Sequence, residues 1–101
     1  MVVGVLQLEL RLPATHSLKG KRGILRTIKA RVRNRFNVSI AECGAHDAWQ
    51  RTLLGVAQAG VDEPHVAACL GEVIRFIEGL HLTTLGAERI EFLHYGNDLD
   101  G

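Results

Sequence analysis

Apolar and polar residues alternate from Val2 to Leu12, with Leu6, Leu8, Leu10 and Leu12 on one side and Gln7, Glu9 and Arg11 on the other. A period of two predicts a strand with one buried face. Pro13 ends it, and the period then changes. Ile24, Leu25, Ile28, Val32 and Phe36 recur at helical spacing. At 100° per residue they share, with Leu18, a sector of about 120°. Ser17 stands where an N-cap is needed, so a helix is expected from Leu18 to about Asn34.

Residues 37–43, NVSIAEC, place Val38 and Ile40 on one face and predict a second strand. The stretch GAHDAWQ breaks the alternation and predicts a hairpin loop around Gly44 and Asp47. Residues 51–58, RTLLGVAQ, predict a third strand. Gly60 and Asp62 lead into a second helix, with Pro64 in its first turn, where the missing N–H costs nothing. Val66, Leu70, Val73, Ile74, Ile77 and Leu80 give that helix its apolar stripe. Gly86 precedes a last strand, AERIEFLHY.

Two strand–helix–strand halves of this kind close into the ferredoxin-like α+β arrangement, a four-stranded antiparallel sheet with both helices on one face. Residues 1–96 are expected to form this single domain, and the acidic tail 97–101 to fray.

A chain of 101 residues, 47% hydrophobic, can bury one modest core. No apolar run approaches the roughly 20 residues of a membrane span. The N-terminal stretch lacks a basic region and a small-residue cleavage site, which favours a strand over a signal peptide. A cytoplasmic protein without a membrane partner is expected. Cys43 and Cys69 are expected to be reduced, buried and inert.

The formal net charge of +1 hides a strong asymmetry. Residues 17–36, SLKGKRGILRTIKARVRNRF, hold eight of the twelve Lys and Arg and no acid. Arg22, Arg26, Lys29 and Arg33 fall in a sector of about 60° beside the apolar face, with Lys19 at its edge. They form one row roughly 16 Å long. Lys21 and Arg35 lie in the apolar sector near its two ends, where long stems can snorkel.

The row has two readings. In one it is a solvated face whose charges pair with acids of other elements. In the other it meets a polyanion: like charges at these spacings repel, and consecutive phosphates relieve them with release of counterions. RNA is favoured over a membrane, because the non-core side has no aromatic residue or Leu to insert into lipid. The strands expected at the sheet centre, VVGVLQL and TLLGVAQ, lack the aromatics on which such domains stack bases. Contact through the backbone, with weak sequence preference, follows.

The loop region AHDAWQRTLLG holds the only Trp. Structurally, Trp49 would pin the hairpin to the domain and Asp47 would cap the turn. Functionally, Asp47, Trp49, Gln50 and Arg51 would form a contact patch, since Trp and Arg are favoured interface anchors. The structural role is the main expectation for Trp49.

Support for catalysis is thin. The five His are scattered, and Cys43-x-x-His46 supplies only two metal ligands. Gly20 and Gly23 beside Lys19 and Lys21 offer at most a weak single-phosphate site. Neither a P-loop nor a dinucleotide fingerprint is present. No enzyme activity, metal or cofactor is expected.

The Ser-Leu-Lys-x-Lys-Arg opening at Ser17–Arg22, the Arg-Phe-Asn-Val-Ser run at Arg35–Ser39 and the Trp-Gln-Arg turn at Trp49–Arg51 resemble the YlxP-like family of small bacterial proteins of unknown function. The resemblance implies a ferredoxin-like domain in the bacterial cytoplasm. It also implies genes near translation-initiation and ribosome-maturation factors. It carries over no catalytic residue. Gly20 and Gly23 stand where charged or bulkier residues are expected from the family, which loosens the helix start.

The leading expectation is a non-catalytic RNA- or ribosome-associated protein that contacts phosphates through Lys19, Arg22, Arg26, Lys29 and Arg33. The alternative is a homodimeric protein-interaction or small-ligand-sensing module pairing through its sheet, whose face away from the helices includes Val3, Val5 and Leu93.

Overall fold

The chain runs β1 (Val2–Arg11), α1 (Leu18–Arg35), β2 (Ser39–Gly44), β3 (Arg51–Gly60), α2 (Glu63–Gly79) and β4 (Thr84–His94). The computed structural model describes residues 1–96, 98 and 99. The expected frayed tail, 97–101, falls largely on Asn97, Asp100 and Gly101, which lie outside the described residues.

All four strands join one antiparallel sheet in the order β2-β3-β1-β4, the ferredoxin-like topology. β1 is central and pairs along its whole length with β3, from Val2 opposite Gly60 to Arg11 opposite Arg51. On its other side Val2 lies opposite His94. The pairing slips between Leu8 and Leu10, so Gly86 and Ala87 face the single residue Glu9. A Cβ on Gly86 would run into the Glu9 carboxylate. Gly86 therefore sits inside β4 at a bulge, not ahead of the strand as its position suggested. β2 likewise starts at Ser39, later than expected, because Asn37 and Val38 serve as the connection from α1.

The even-numbered side of β1 and its neighbours faces the helices. Leu6, Leu8 and Leu10 meet Leu25, Ile28 and Val32 of α1 and Val66, Leu70 and Ile77 of α2 in one buried cluster. α2 lies close on the sheet. A Cβ on Gly4 would approach Val66 to 2.5 Å and Leu70 to 2.9 Å, so only glycine lets the helix seat there.

Both helix starts are capped as their sequences require. The Gly20 N–H donates to Ser17 Oγ at 3.0 Å, and the His65 N–H donates to Asp62 Oδ1 at 2.8 Å. Glu63 in the first turn of α2 suits the positive end of the helix dipole. The first turn of α1 contains no acid. Among the described residues no helix is long and apolar enough to cross a membrane.

The thiols depart from expectation. Cys43 is exposed because β2 is an edge strand and the side chain lies on the sheet face away from the helices, over Gly55. Cys69 is half-buried, and its sulfur accepts a hydrogen bond from Gln58 Nε2 at 3.0 Å.

Candidate functional site

The orientation of α1 decides where its charges point. Near its C-terminus, Arg35 holds its guanidinium 5.2 Å from the Phe76 ring of α2. Phe76 meets Phe36 edge-on at 5.6 Å. The snorkelling expected of Arg35 takes the form of a cation over this aromatic pair. On the other side of the helix, Arg33 Nη2 donates to the Ile40 carbonyl of β2 at 3.0 Å. One side of α1 therefore abuts α2, and the side carrying the basic row lies along β2, the outer strand.

Lys19, Arg22, Arg26 and Arg33 are exposed, and Lys29 is half-buried. Arg31 is exposed on another side of the helix. Of the eight basic residues of α1, only Lys21 has a carboxylate partner among the described residues. Among the described residues, no acid of another element folds back to pair with the row.

Lys21 corrects the sequence expectation. It does not snorkel: the residue is 1% exposed. Its Nζ pairs with Glu42 Oε2 at 2.8 Å and donates to the Ala45 and Ala48 carbonyls at 2.6 and 2.8 Å. An ammonium has three protons, and here each has an acceptor. The same Glu42 oxygen accepts from the Thr52 hydroxyl at 2.7 Å, and Thr52 is itself fully buried. Burial works to raise the Glu42 pKa, but hydrogen bonds from Lys21 and Thr52 and the lysine charge outweigh it, and the net shift is downward. The sequence signal for this network was Glu42 itself. It follows Ile40 by two residues on the strand's core side, facing a lysine in the helix's apolar sector.

Lys21 thus does the work expected of Trp49. The carbonyls it binds belong to the hairpin between β2 and β3, which it bolts to the first turns of α1. Trp49 is 54% exposed and does not pin the loop. Asp47 is exposed as well and does not cap the turn. That turn closes through the Ala48 N–H on the Ala45 carbonyl at 3.1 Å, with Ala45 left-handed at φ 58°.

The other two residues of the expected contact patch are tied within the chain. Gln50 Nε2 donates to the Pro13 and Thr15 carbonyls at 3.2 and 3.1 Å, fastening the loop before α1. Arg51 Nε binds Glu9 Oε2 at 2.7 Å on the helix-free face of the sheet. That bond, with the charges of Arg51 and Arg11, holds the Glu9 carboxyl below its usual range.

The helix-free face also carries an open cleft of about 530 Å³ lined by Val5, Gln7, Cys43, Leu53, Gly55 and Arg89, among others. Among the described residues no three His, Cys, Asp or Glu side chains come together as a metal site. Cys43 and His46 stay a pair of exposed residues at the hairpin's start.

Comparison with known proteins agrees with the sequence resemblance. The family described as Protein of unknown function (DUF503) matches residues 3–89. The Uncharacterized protein YlxP of Bacillus subtilis (strain 168) is 39% identical over 77 residues, which cover 76% of this chain and 84% of YlxP. A solved structural-genomics protein, YJCS, superposes with a TM-score of 0.58 over 88% of this chain and 96% of its own. At 8% identity it shares the fold alone.

Proposed function

Because the chain belongs to the DUF503 family of proteins of unknown function, its role has to be read from its own surface, and we propose that it is a non-catalytic cytoplasmic protein that binds RNA, free or in the ribosome, along α1. The observation that carries this reading is the uncompensated row. Lys19, Arg22 and Arg26 are exposed and Lys29 is half-buried, none with a carboxylate partner among the described residues, and Arg33 offers its charge beside them while bonded to a neutral carbonyl. A protein that keeps so many like charges together on one helix loses stability by it. A polyanion recovers that loss and gains counterion release. β1 and β3 carry no aromatic residue, so the sheet offers no platform for reading bases.

The test is co-sedimentation with ribosomal subunits, with filter binding to ribosomal RNA fragments at rising salt. Four to five phosphate contacts on a single strand give a slope of log K against log salt of about −3. Absence of binding even at about 50 mM salt would remove the reading, since electrostatic affinity is greatest there.

The second reading is a dimer formed through the helix-free face. Leu93 is 50% exposed there, and Val3, Val5 and Leu53 are only half-covered. Sedimentation equilibrium separates the two. A stable dimer that leaves RNA unbound favours the sheet.

A further inference from the structure

Among the described residues two aromatic side chains are left about half in water, Trp49 on the β2–β3 hairpin and Tyr95 just after β4 at the opposite edge of the sheet, and only Trp49 lies at the basic helix. The residues on either side of it are anchored. Ala48 gives its carbonyl to the buried Lys21 ammonium at 2.8 Å, and Gln50 gives its side-chain amide to Pro13 and Thr15. Both anchors lie at the N-terminal end of α1, where the basic row begins with Lys19 and Arg22. The row runs along β2, as the Arg33–Ile40 bond shows, and the hairpin carrying Trp49 continues β2. The hairpin that carries Trp49 is therefore fastened at the N-terminal end of the row.

A tryptophan with 54% of its surface exposed leaves aromatic area open to a stacking partner. Here the hairpin is fastened by a buried ion pair and four side-chain hydrogen bonds to backbone carbonyls, so the ring is presented without a loop having to be ordered first. The exposed Asp47 beside it repels phosphate. What this end of the row offers a polyanion is thus an aromatic face.

Resting on the RNA reading above, we infer that Trp49 is a base-stacking platform and that the ligand is single-stranded RNA. Its phosphates follow Lys19, Arg22, Arg26 and Lys29, and an unpaired base lies on the indole. The row from Lys19 to Lys29 is about 15 Å long at 1.5 Å per residue. With one phosphate to each of its four cations the row takes about four nucleotides, a length typical of a small single-strand site. In a duplex the bases are stacked on one another and have no face to give the ring. Stacking on one indole tolerates any base, consistent with weak sequence preference.

Trp49 is the only tryptophan in the chain, so its emission reports the contact directly. Titration of the unmodified protein with a single-stranded oligouridylate of about eight nucleotides should quench the emission. Inorganic polyphosphate, which has charge and no bases, should bind and leave it unchanged. Trp49→Ala should weaken oligouridylate binding roughly tenfold and leave both the salt slope and polyphosphate binding as they were. Oligouridylate binding with unaltered emission and undiminished affinity in Trp49→Ala would overturn the stacking role while the basic row stands. Failure of both polyanions to bind would overturn the RNA reading itself, and the stacking role with it.

Discussion

The Lys21 ammonium and the Glu42 carboxylate lie 2.8 Å apart where α1 crosses β2, and through this pair the helix holds the β2–β3 hairpin. Lys21→Met should cost about 3 kcal/mol or more, because it strands Glu42 and removes the donors of two carbonyls. Urea denaturation measures the loss. The double variant Lys21→Met/Glu42→Gln should recover part of it. A double-variant loss equal to the sum of the two single losses would mean that the pair is not coupled.

Acid should weaken this network. The folded Glu42 pKa lies below its ordinary value of 4.5, so the unfolded chain binds that proton more tightly. The stabilisation is complete above about pH 4.5 and is lost as pH falls through the folded value. Glu9, lowered chiefly by its hydrogen bond from Arg51, titrates in the same sense. Thermal unfolding between about pH 6 and 3 should show a steep acid limb that Glu42→Gln flattens in part. An unchanged limb in that variant would place the acid sensitivity elsewhere.

Trp49→Ala should change stability by less than about 1 kcal/mol, far below the roughly 3–5 of a buried aromatic truncation. A larger loss would mean that the indole packs on the domain in solution.

The basic row separates into two classes. Replacing Lys19, Arg22 and Arg26 together by Gln should leave the melting temperature unchanged or slightly raised, because repulsion goes with the charge. The same change should abolish RNA binding. Arg33→Gln should instead lose about 1 kcal/mol with its bond to the Ile40 carbonyl. Calorimetry on the two variants distinguishes them.

Two glycines should respond oppositely to alanine. A Cβ on Gly23 meets nothing within 4 Å, so Gly23→Ala should raise stability by about 0.5–1 kcal/mol. Gly4→Ala forces a methyl group against Val66 and Leu70 and should lower it by about 1–3 kcal/mol. Chemical denaturation of both variants checks the pair.

The element order and both caps were legible in the sequence because they depend on local chemistry: the period of two in residues 2–12, Ser17 and Asp62 before apolar helical stripes, and Pro64 in a first turn. Lys21 and Trp49 were read in each other's places. Hydrophobicity alone makes tryptophan the natural pin and lysine the natural surface residue, and only the close approach of α1 to β2 reverses them. The strand order that creates this approach pairs residues distant in sequence, which no local pattern encodes. The same holds for Cys43, whose exposure follows from β2 being an edge strand. The row itself was visible as composition and spacing. That it lacks carboxylate partners among the described residues could be known only from where the acids of the other elements lie.

The strand order also governs what the nascent chain can do during synthesis. α1, β2, β3 and α2 are contiguous in sequence, so the hairpin, its lysine bolt and the helices can begin to assemble while the C-terminal strand is still being made. β1 reaches its second partner only when residues 84–94 arrive, since Val2 pairs with His94. Until then a long, apolar, central strand stands as an open edge, the kind of surface that draws in other chains. Such non-local pairing also slows folding relative to helical domains of similar size. Chains that stall before β4 is complete should therefore aggregate rather than persist as a smaller folded unit.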